Sequence, residues 1–249
     1  MKVYLLEMTD RAVDLIFSAA RQCYSSSGSK DIFEKSKLID MKKKEKFVKE
    51  IVSSGHESVL EHVKFTFGVE GVSRSLTHQL VRHRIASYSQ QSQRYVKAEN
   101  FEYVIPPLIE KDEILKKEFL TIMEEIKKTY NRILKRFEEI GIKGEKANQD
   151  ARYILPNAAA TKIVITMNAR ELLHFFRVRC CSRAQWEIRE LAYKMLEICK
   201  EKLPSVFENA GPKCVFLGYC PEGEKFTCGR YPLKKDVIKN VYPKPGLGK

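Results

Sequence analysis

The chain contains no run of about 18 consecutive apolar residues, the length that a membrane-spanning helix needs. Its first segment, MKVYLLEMTDRAVD, reaches acidic residues too early for the apolar core of a secretory signal peptide. Tryptophan occurs once and cysteine seven times in 249 residues, and an odd number of cysteines in a long chain favours free thiols. We therefore expect a cytoplasmic protein that has no membrane partner.

Common nucleotide-binding and metal-binding patterns are missing as well. Neither G-x-G-x-x-G nor G-x-x-x-x-G-K-[ST] occurs, so nothing indicates a Rossmann or Walker phosphate site. His56 and His62 are six residues apart rather than four, which excludes the zinc-protease helix that GHESVLEH first suggests. We expect no resident metal, and the only candidate zinc ligands, which lack C-x2-C spacing and an obvious fourth ligand, are Cys214, Cys220 and Cys228.

The charge is strongly basic, because 45 Lys and Arg residues outweigh 32 Asp and Glu residues to give a formal net charge of +13. Such an excess favours a nucleic acid, an anionic membrane or an anionic small molecule as partner. The lysines alternate with glutamates at helical spacing, as in 116–128, which is typical of a solvated helix face. The charge alone therefore does not choose among these partners.

Hydrophobic periodicity predicts a mixture of helices and strands without regular βαβ alternation, which defines the α+β class. We expect one catalytic domain over 1–210, with a helical subregion at about 109–154, and an irregular Cys-, Pro- and Lys-rich tail at 211–249. Predicted strands cover 2–7, 63–70, 101–105 and 161–167, and predicted helices include 35–53, 72–84, 109–140, 144–154 and 183–202. Predicted helix caps are Thr9 or Asp10, Asn168 with Glu171, and Ser182 with Gln185.

The stretch RHRIASYSQQSQRY at 82–95 is the most unusual part of the sequence. Two arginines and a histidine lie where a helix is expected to end, and hydroxyl and amide side chains follow them. These groups are the donors of an anion and carbonyl site. Gln79, one helical turn before Arg82, shares its face. A polar surface loop is the alternative interpretation.

A second cluster lies in NARELLHFFRVRCCSRAQWEIR, at 168–189. Arg170 and His174 are four residues apart on one predicted helix, and Arg179 lies near the end of that helix. A helical histidine alone is more often structural, but its neighbours here favour a site. Cys180 and Cys181 follow directly, either as small packing residues or as redox-sensitive thiols.

These motifs resemble the flavin-dependent thymidylate synthases. RHR, seven further residues and then Ser92 match the family signature RHR-x7-S, and Gln93 and Arg94 continue the match. GHESVLEH, the alternating strand after it, the NAR…H…R helix and AQWEIR occur in the order and approximate spacing of the family. The resemblance covers about 1–210.

The resemblance implies a fold of mixed helices around a central antiparallel-type sheet. It implies conversion of dUMP to dTMP, with methylenetetrahydrofolate as one-carbon donor and with NADPH reducing a bound FAD that supplies the hydride. It also implies a homotetramer with sites at subunit interfaces.

The resemblance further assigns residues to each ligand. At dUMP it places Gln79, Leu80, Val81, Arg82, Gln90, Gln91, Ser92, Gln93, Arg94, Arg152 and Arg179. At FAD it places Ser58, Arg82, His83, Arg84, Gln90, Asn168, Ala169, Arg170 and His174, with His56 and Glu61 near the flavin or the folate. Arg179 is the expected catalytic residue, because it can bond the uracil O2 and stabilise negative charge on the N3 side.

Three alternatives remain open at the level of sequence. Ser92 is expected to bind phosphate or uracil, although its position also allows a covalent nucleophile. A basic nucleic-acid-binding protein would need cations on one face with aromatic residues between them, whereas the lysines here are spread along acidic helices. A family member kept only as a binding module is disfavoured by the retained arginines.

Overall fold

The structure is a computed structural model that describes residues 1–241, with side chains described for 1–238. The chain forms two compact units. One contains Met1–Tyr4 and Phe67–Ile165, and the other contains Leu5–Thr66 and the described residues from Thr166 onward. The expected division into a catalytic domain at 1–210 and a tail at 211–249 stays a prediction, and 242–249 lie outside the described residues.

Four strands form one antiparallel sheet in the order β1-β2-β4-β3, which confirms the predicted α+β class. Its central register is visible where the hydroxyls of Thr66 and Thr166 lie 3.0 Å apart, and where the Ala169 N–H donates to the Val63 carbonyl at 2.8 Å. The strands are β1 (Lys2–Met8), β2 (Lys64–Ser73), β3 (Ala86–Gln90) and β4 (Ala160–Asn168).

The strand predictions succeeded where apolar residues alternate. In β2, Phe65, Phe67 and Val69 are buried, as the period-two pattern requires. The sequence did not predict β3, because its residues ASYSQ offer no apolar alternation. The predicted strand at 101–105 was wrong, since only an isolated bridge forms there, between Tyr103 and Ala159.

The first unit is helical outside its strands. Phe101, Met123 and Ala159 form an apolar core against which Tyr103 and Phe119 pack. The predicted helix at 109–140 is divided, and the predicted helix at 144–154 ends in a 3-10 turn. Its helices are α4 (Arg74–Leu80), α5 (Pro107–Glu110), α6 (Glu113–Glu139), α7 (Glu145–Ala151) and the 3-10 helix Arg152–Ile154.

The second unit packs helices against β2 and against each other. The Phe207 ring lies edge-on to Phe65 at 5.7 Å and to Phe176 at 6.0 Å between ring centres. No helix within 1–241 is long and apolar enough to cross a membrane. The helices are α1 (Ala12–Gln22), α2 (Ser29–Ser36), α3 (Met41–Ser53), the 3-10 helix Glu57–His62, α8 (Ala169–Arg179), α9 (Trp186–Lys202), α10 (Pro204–Phe207), α11 (Lys213–Leu217) and α12 (Lys234–Val241).

Some helix boundaries differ from the prediction because a polar side chain forms a hydrogen bond other than the expected one. Thr9 does not cap α1, because its hydroxyl accepts the Lys64 N–H at 2.9 Å from the neighbouring strand. The predicted helix 35–53 is two helices, since Asp40 caps α3 by accepting the Lys43 N–H.

The remaining boundary predictions have mixed outcomes. The Asp10 cap was also wrong, because Arg11 in the left-handed region precedes α1 and no side-chain cap forms. Gln185 itself caps α9, so the Ser182 cap was wrong. The Asn168 cap is confirmed, with its oxygen accepting the Glu171 N–H at 2.8 Å. The tail from 211 is not wholly irregular, because it contains α11 and α12.

One ion pair is fully enclosed in the second unit. The Lys44 ammonium pairs with the Asp14 carboxylate and donates to the Ser36 carbonyl at 3.1 Å. The two paired side chains are 3% and 4% exposed, so little water reaches either charge. Asp14 has a second ionic partner in the half-exposed Arg11, whose Nε lies 3.5 Å from its carboxylate. The Lys44–Asp14 pair links α1 to α3.

Candidate functional site

The RHR motif lies after the end of α4 rather than within it. The predicted helix 72–84 stops at Leu80, and the Tyr88 hydroxyl donates to the carbonyls of Leu80 at 2.9 Å and His83 at 2.8 Å. Arg82 and Arg84 are exposed on either side of the buried His83. The turn therefore presents two guanidiniums to solvent.

The loop after β3 is held by its own side chains. The Gln90 amide donates to the hydroxyl of Thr77 at 3.2 Å and of Thr161 at 3.4 Å. The Ser92 hydroxyl accepts the Arg94 N–H at 3.1 Å, which shapes the turn and leaves the hydroxyl hydrogen able to donate. Gln79 is half-buried, Leu80 is buried, and Val81, Gln91 and Gln93 range from exposed to half-buried.

Arg94 is half-buried behind this loop. Its guanidinium pairs with Glu145, while the Asn148 amide donates to the Arg94 carbonyl at 3.0 Å. The Arg94 Nε and the Asn148 Oδ1 are both buried and have no partner among the described residues. Unpaired buried polar atoms cost free energy unless a ligand satisfies them.

Arg74 belongs to the same site, and the sequence interpretation missed it. Its guanidinium donates to the Gln91 carbonyl at 2.9 Å, and its buried Nε has no partner among the described residues. Burial, and then the nearby positive charge of Arg152, lower the pKa of Arg74. The available signal was a cation at the first position of α4, where the helix dipole disfavours positive charge.

These arginines can hold a dianion. Two guanidiniums that repel each other, with unused N–H groups, favour an anion between or beside them. Arg152 donates its own Nε to the Gln149 carbonyl at 3.3 Å, which keeps that side chain half-buried. The first unit thus contains every predicted dUMP residue except Arg179, together with Arg74.

The second unit contains the other cluster, along α8. Arg170 pairs with Glu61 while both side chains are about half exposed, and His174 is exposed on the same helix. Ala169 is buried and its N–H is bonded to Val63. Burial raises the pKa of Glu171, which the neighbouring His174 partly offsets.

A second ion pair joins the same two elements. Arg177 donates through both terminal nitrogens to Glu57, which lies between the exposed residues His56 and Ser58. The Arg177 guanidinium also lies 4.9 Å from the ring centre of Phe216. The sequence interpretation did not single out this pair.

Arg179 lines a cavity of about 530 Å³ in the second unit, together with residues of the tail. Burial lowers the pKa of Arg179, but a guanidinium still carries its positive charge at neutral pH. Among 1–241, no three His, Cys, Asp or Glu side chains come together as metal ligands. Burial raises the pKa of Cys180 to about 12, which favours the packing interpretation for that thiol.

An α+β fold with partly satisfied arginines around open loops is typical of proteins that bind phosphorylated small molecules. A family model described as "Thymidylate synthase complementing protein" matches Tyr4 to Ser205, by far the larger part of the chain. The chain belongs to the family of flavin-dependent thymidylate synthases, which confirms the resemblance and gives no support to the nucleic-acid-binding alternative.

Curated relatives extend the match to nearly full length. The flavin-dependent thymidylate synthase of Nitratidesulfovibrio vulgaris is 52% identical over 238 residues, covering 95% of this chain and 97% of the relative. That of Clostridium tetani is 52% identical over 250 residues, covering 97% of each. That of Pyrococcus abyssi is 47% identical over 253 residues, covering 98% of this chain and 99% of the relative.

Proposed function

We propose that this protein forms dTMP from dUMP by reductive methylation, with methylenetetrahydrofolate as one-carbon donor and NADPH as reductant of FAD. The observation that carries the proposal is the near-full-length match to flavin-dependent thymidylate synthases. The unsatisfied guanidinium N–H groups of Arg74 and Arg94 support it, because the substrate carries a phosphate.

The family resemblance assigns to dUMP a set of residues in the first unit and, separately, Arg179 of the second unit. Arg152 and Arg74 bind the phosphate, whose nearly two negative charges offset the burial of Arg74 and its repulsion by Arg152, the two causes that lower the pKa of Arg74. Arg82, Gln79 and the loop 90–94 surround the nucleoside through amide, hydroxyl and guanidinium donors. The assigned residues are Gln79, Leu80, Val81, Arg82, Gln90, Gln91, Ser92, Gln93, Arg94, Arg152 and Arg179, with Arg74 added.

Ser92 acts as a ligand in this proposal. Its oxygen already accepts the Arg94 N–H, so its hydroxyl hydrogen donates to phosphate or uracil. Arg179 donates to the uracil O2 and stabilises negative charge on the N3 side while C5 attacks the one-carbon unit. A cation fixed in a half-buried position performs this role without reorganising when charge develops.

The first unit offers cations that suit the phosphates of FAD. Arg82 and Arg84 are exposed and form no ion pair with a carboxylate among the described residues, so both are available to the cofactor's phosphates. FAD held there would supply the redox chemistry, the passage of hydride from NADPH to the one-carbon unit. The assigned FAD residues are Ser58, Arg82, His83, Arg84, Gln90, Asn168, Ala169, Arg170 and His174.

His56 and Glu61 are assigned to the flavin or folate region. His56 is exposed at the start of the 3-10 helix, and Glu61 holds Arg170 at its other end. The Arg170–Glu61 pair is exposed and therefore weak, so a ligand can displace it at little cost.

Several further features are proposed on family membership. The protein is a cytoplasmic homotetramer with its sites at subunit interfaces, without a nucleic-acid or membrane partner and without a resident metal. Residues 1–210 form the catalytic domain, and 211–249 form its tail.

The decisive experiment is the absorption spectrum of the purified protein, followed by a dTMP assay. We expect a flavin spectrum that bleaches with NADPH under anaerobic conditions, and dTMP formation that requires dUMP and methylenetetrahydrofolate. Arg179→Ala should lower dTMP formation by about 100-fold or more while FAD remains bound. A colourless protein that does not take up added FAD would overturn the proposal, and near-normal turnover of Arg179→Ala would overturn the role of that residue.

A further inference from the structure

Five thiols line the cavity that also contains Arg179. They come from two places in the second unit: the segment that follows α8, and the tail from α11 up to α12. They are Cys180, Cys181, Cys214, Cys220 and Cys228. No disulfide joins any cysteine within 1–241.

The five thiols differ sharply in accessibility. Cys180 and Cys220 are buried, whereas Cys228 is exposed. The pKa of Cys228 is lowered, first by the backbone N–H of Arg230, then by the Ser182 hydroxyl and by the Arg230 charge. A thiolate is the reactive form of cysteine, so exposure and a lowered pKa both favour reaction at Cys228.

Cys214 is the thiol best placed to react with Cys228. It is half-buried, and its pKa is raised first by burial and further by the neighbouring thiols, among them Cys228. The Arg230 guanidinium interacts with both: its pKa is raised chiefly by Tyr193, and to a smaller extent by Cys228 and Cys214. One cation therefore lies near both sulfur atoms.

We propose that Cys228 is a peroxide-sensitive modification site and that Cys214 converts its oxidised form into a reversible disulfide. The proposal goes beyond the enzymatic function and does not depend on it. It rests on the exposed Cys228 and the half-buried Cys214, which line the same cavity together with three further thiols and Arg230.

The chemistry balances with hydrogen peroxide as oxidant. The Cys228 thiolate attacks one peroxide oxygen, the O–O bond breaks, and protonation of the released hydroxide gives water and a sulfenic acid. The Cys214 sulfur then attacks the Cys228 sulfur, the S–O bond breaks, and the Cys214 proton leaves with the hydroxide as a second water. Two thiols lose two electrons and two protons, peroxide is reduced to two waters, and a dithiol reductant restores both thiols.

Cys23 provides the internal control, because it is an exposed thiol that does not line the cavity. Full-length protein is treated with hydrogen peroxide, the remaining thiols are alkylated, and the peptides are identified by mass spectrometry. We expect a Cys214–Cys228 crosslink that dithiothreitol removes, and Cys228 oxidation at least about tenfold faster than that of Cys23.

Two variants separate the steps. Cys228→Ser should abolish the crosslink, and Cys214→Ser should leave a Cys228 sulfenic acid that a dimedone probe traps. Equal reactivity of Cys228 and Cys23 would contradict the proposal, as would a crosslink that omits Cys228. Release of one zinc ion per chain on oxidation would also overturn it, because the thiols would then be ligands.

Discussion

Arg177 donates hydrogen bonds to the Glu57 carboxylate through both terminal nitrogens, while its guanidinium lies 4.9 Å from the centre of the Phe216 ring. The paired side chains are only 25% and 15% exposed. Arg170, two helical turns earlier on α8, pairs with Glu61 on the same 3-10 helix. The shielded Arg177–Glu57 pair therefore fastens the segment that carries His56 and Ser58 to α8, whereas the exposed Arg170–Glu61 pair adds little.

Arg177→Gln should lower the free energy of unfolding by about 2 kcal/mol, because it leaves a shielded carboxylate without its charged donor. Urea denaturation of the full-length protein measures this change. The matched control is Arg183→Gln, since Arg183 also pairs with a glutamate, Glu222, and lies 4.1 Å from the ring centre of Phe226.

Arg183 is 48% exposed, so its ion pair is screened by water and its loss should cost about 0.5 kcal/mol or less. Equal destabilisation by the two variants would show that burial of the Arg177–Glu57 pair contributes nothing.

Lys44→Met should destabilise the protein by up to about 3–5 kcal/mol, because the buried Asp14 carboxylate keeps only the half-exposed Arg11 guanidinium, at 3.5 Å, as ionic partner. The double variant Lys44→Met with Asp14→Leu should recover most of this loss, since it removes both charges. Thermal and urea unfolding measure the two effects. A double variant no more stable than Lys44→Met would contradict the assignment of the loss to an unpaired charge.

Arg74→Gln and Arg152→Gln should each raise the Kd for dUMP by about 10- to 100-fold, the loss of one charged hydrogen bond. Isothermal titration of the FAD-loaded protein measures it. Arg132→Gln is the matched control, because Arg132 is an exposed arginine on α6 that donates to Thr129. Unchanged dUMP affinity in Arg74→Gln would remove Arg74 from the site.

Glu171 should make stability depend on acidity. Because burial raises its pKa above the ordinary value of 4.5, protonated Glu171 is favoured in the folded state. The contribution of protonated Glu171 to the stability of the fold is complete below the pKa of Glu171 in the unfolded chain. It is lost as pH rises through the raised pKa of Glu171 in the folded protein. Relative to Glu171→Gln, the wild type should therefore lose stability as pH rises above the ordinary pKa of 4.5. A difference that does not vary with pH would refute this.

The sequence predicted the parts of the fold that local pattern controls. β2 and β4 follow from alternating apolar residues, and the Asn168 cap follows from its spacing to Glu171. β3 could not be predicted, because its Ser and Gln side chains carry no periodic signal and its strand form depends on pairing with β4. The Thr9 cap failed for the related reason that a neighbouring strand supplied a competing donor.

The site was predicted in part, through motifs rather than through geometry. The family signature pointed to Arg82, Ser92 and Arg94 together. Arg74 lies outside that signature, and its importance is visible only from its unpaired buried Nε and its proximity to Arg152. Such relationships join residues distant in sequence, so no local pattern contains them.

Ser73 and Asn168 are each the last residue of a strand and also the cap of the helix that follows. No linker residue separates the strand from the helix. The faces that α4 and α8 turn toward the sheet are therefore fixed by the strand before them. Inserting a single residue at either junction would turn the helix by about 100° or move the strand's side chains to the opposite face. At these two junctions the fold therefore tolerates substitution of a residue, but not the insertion or deletion of one.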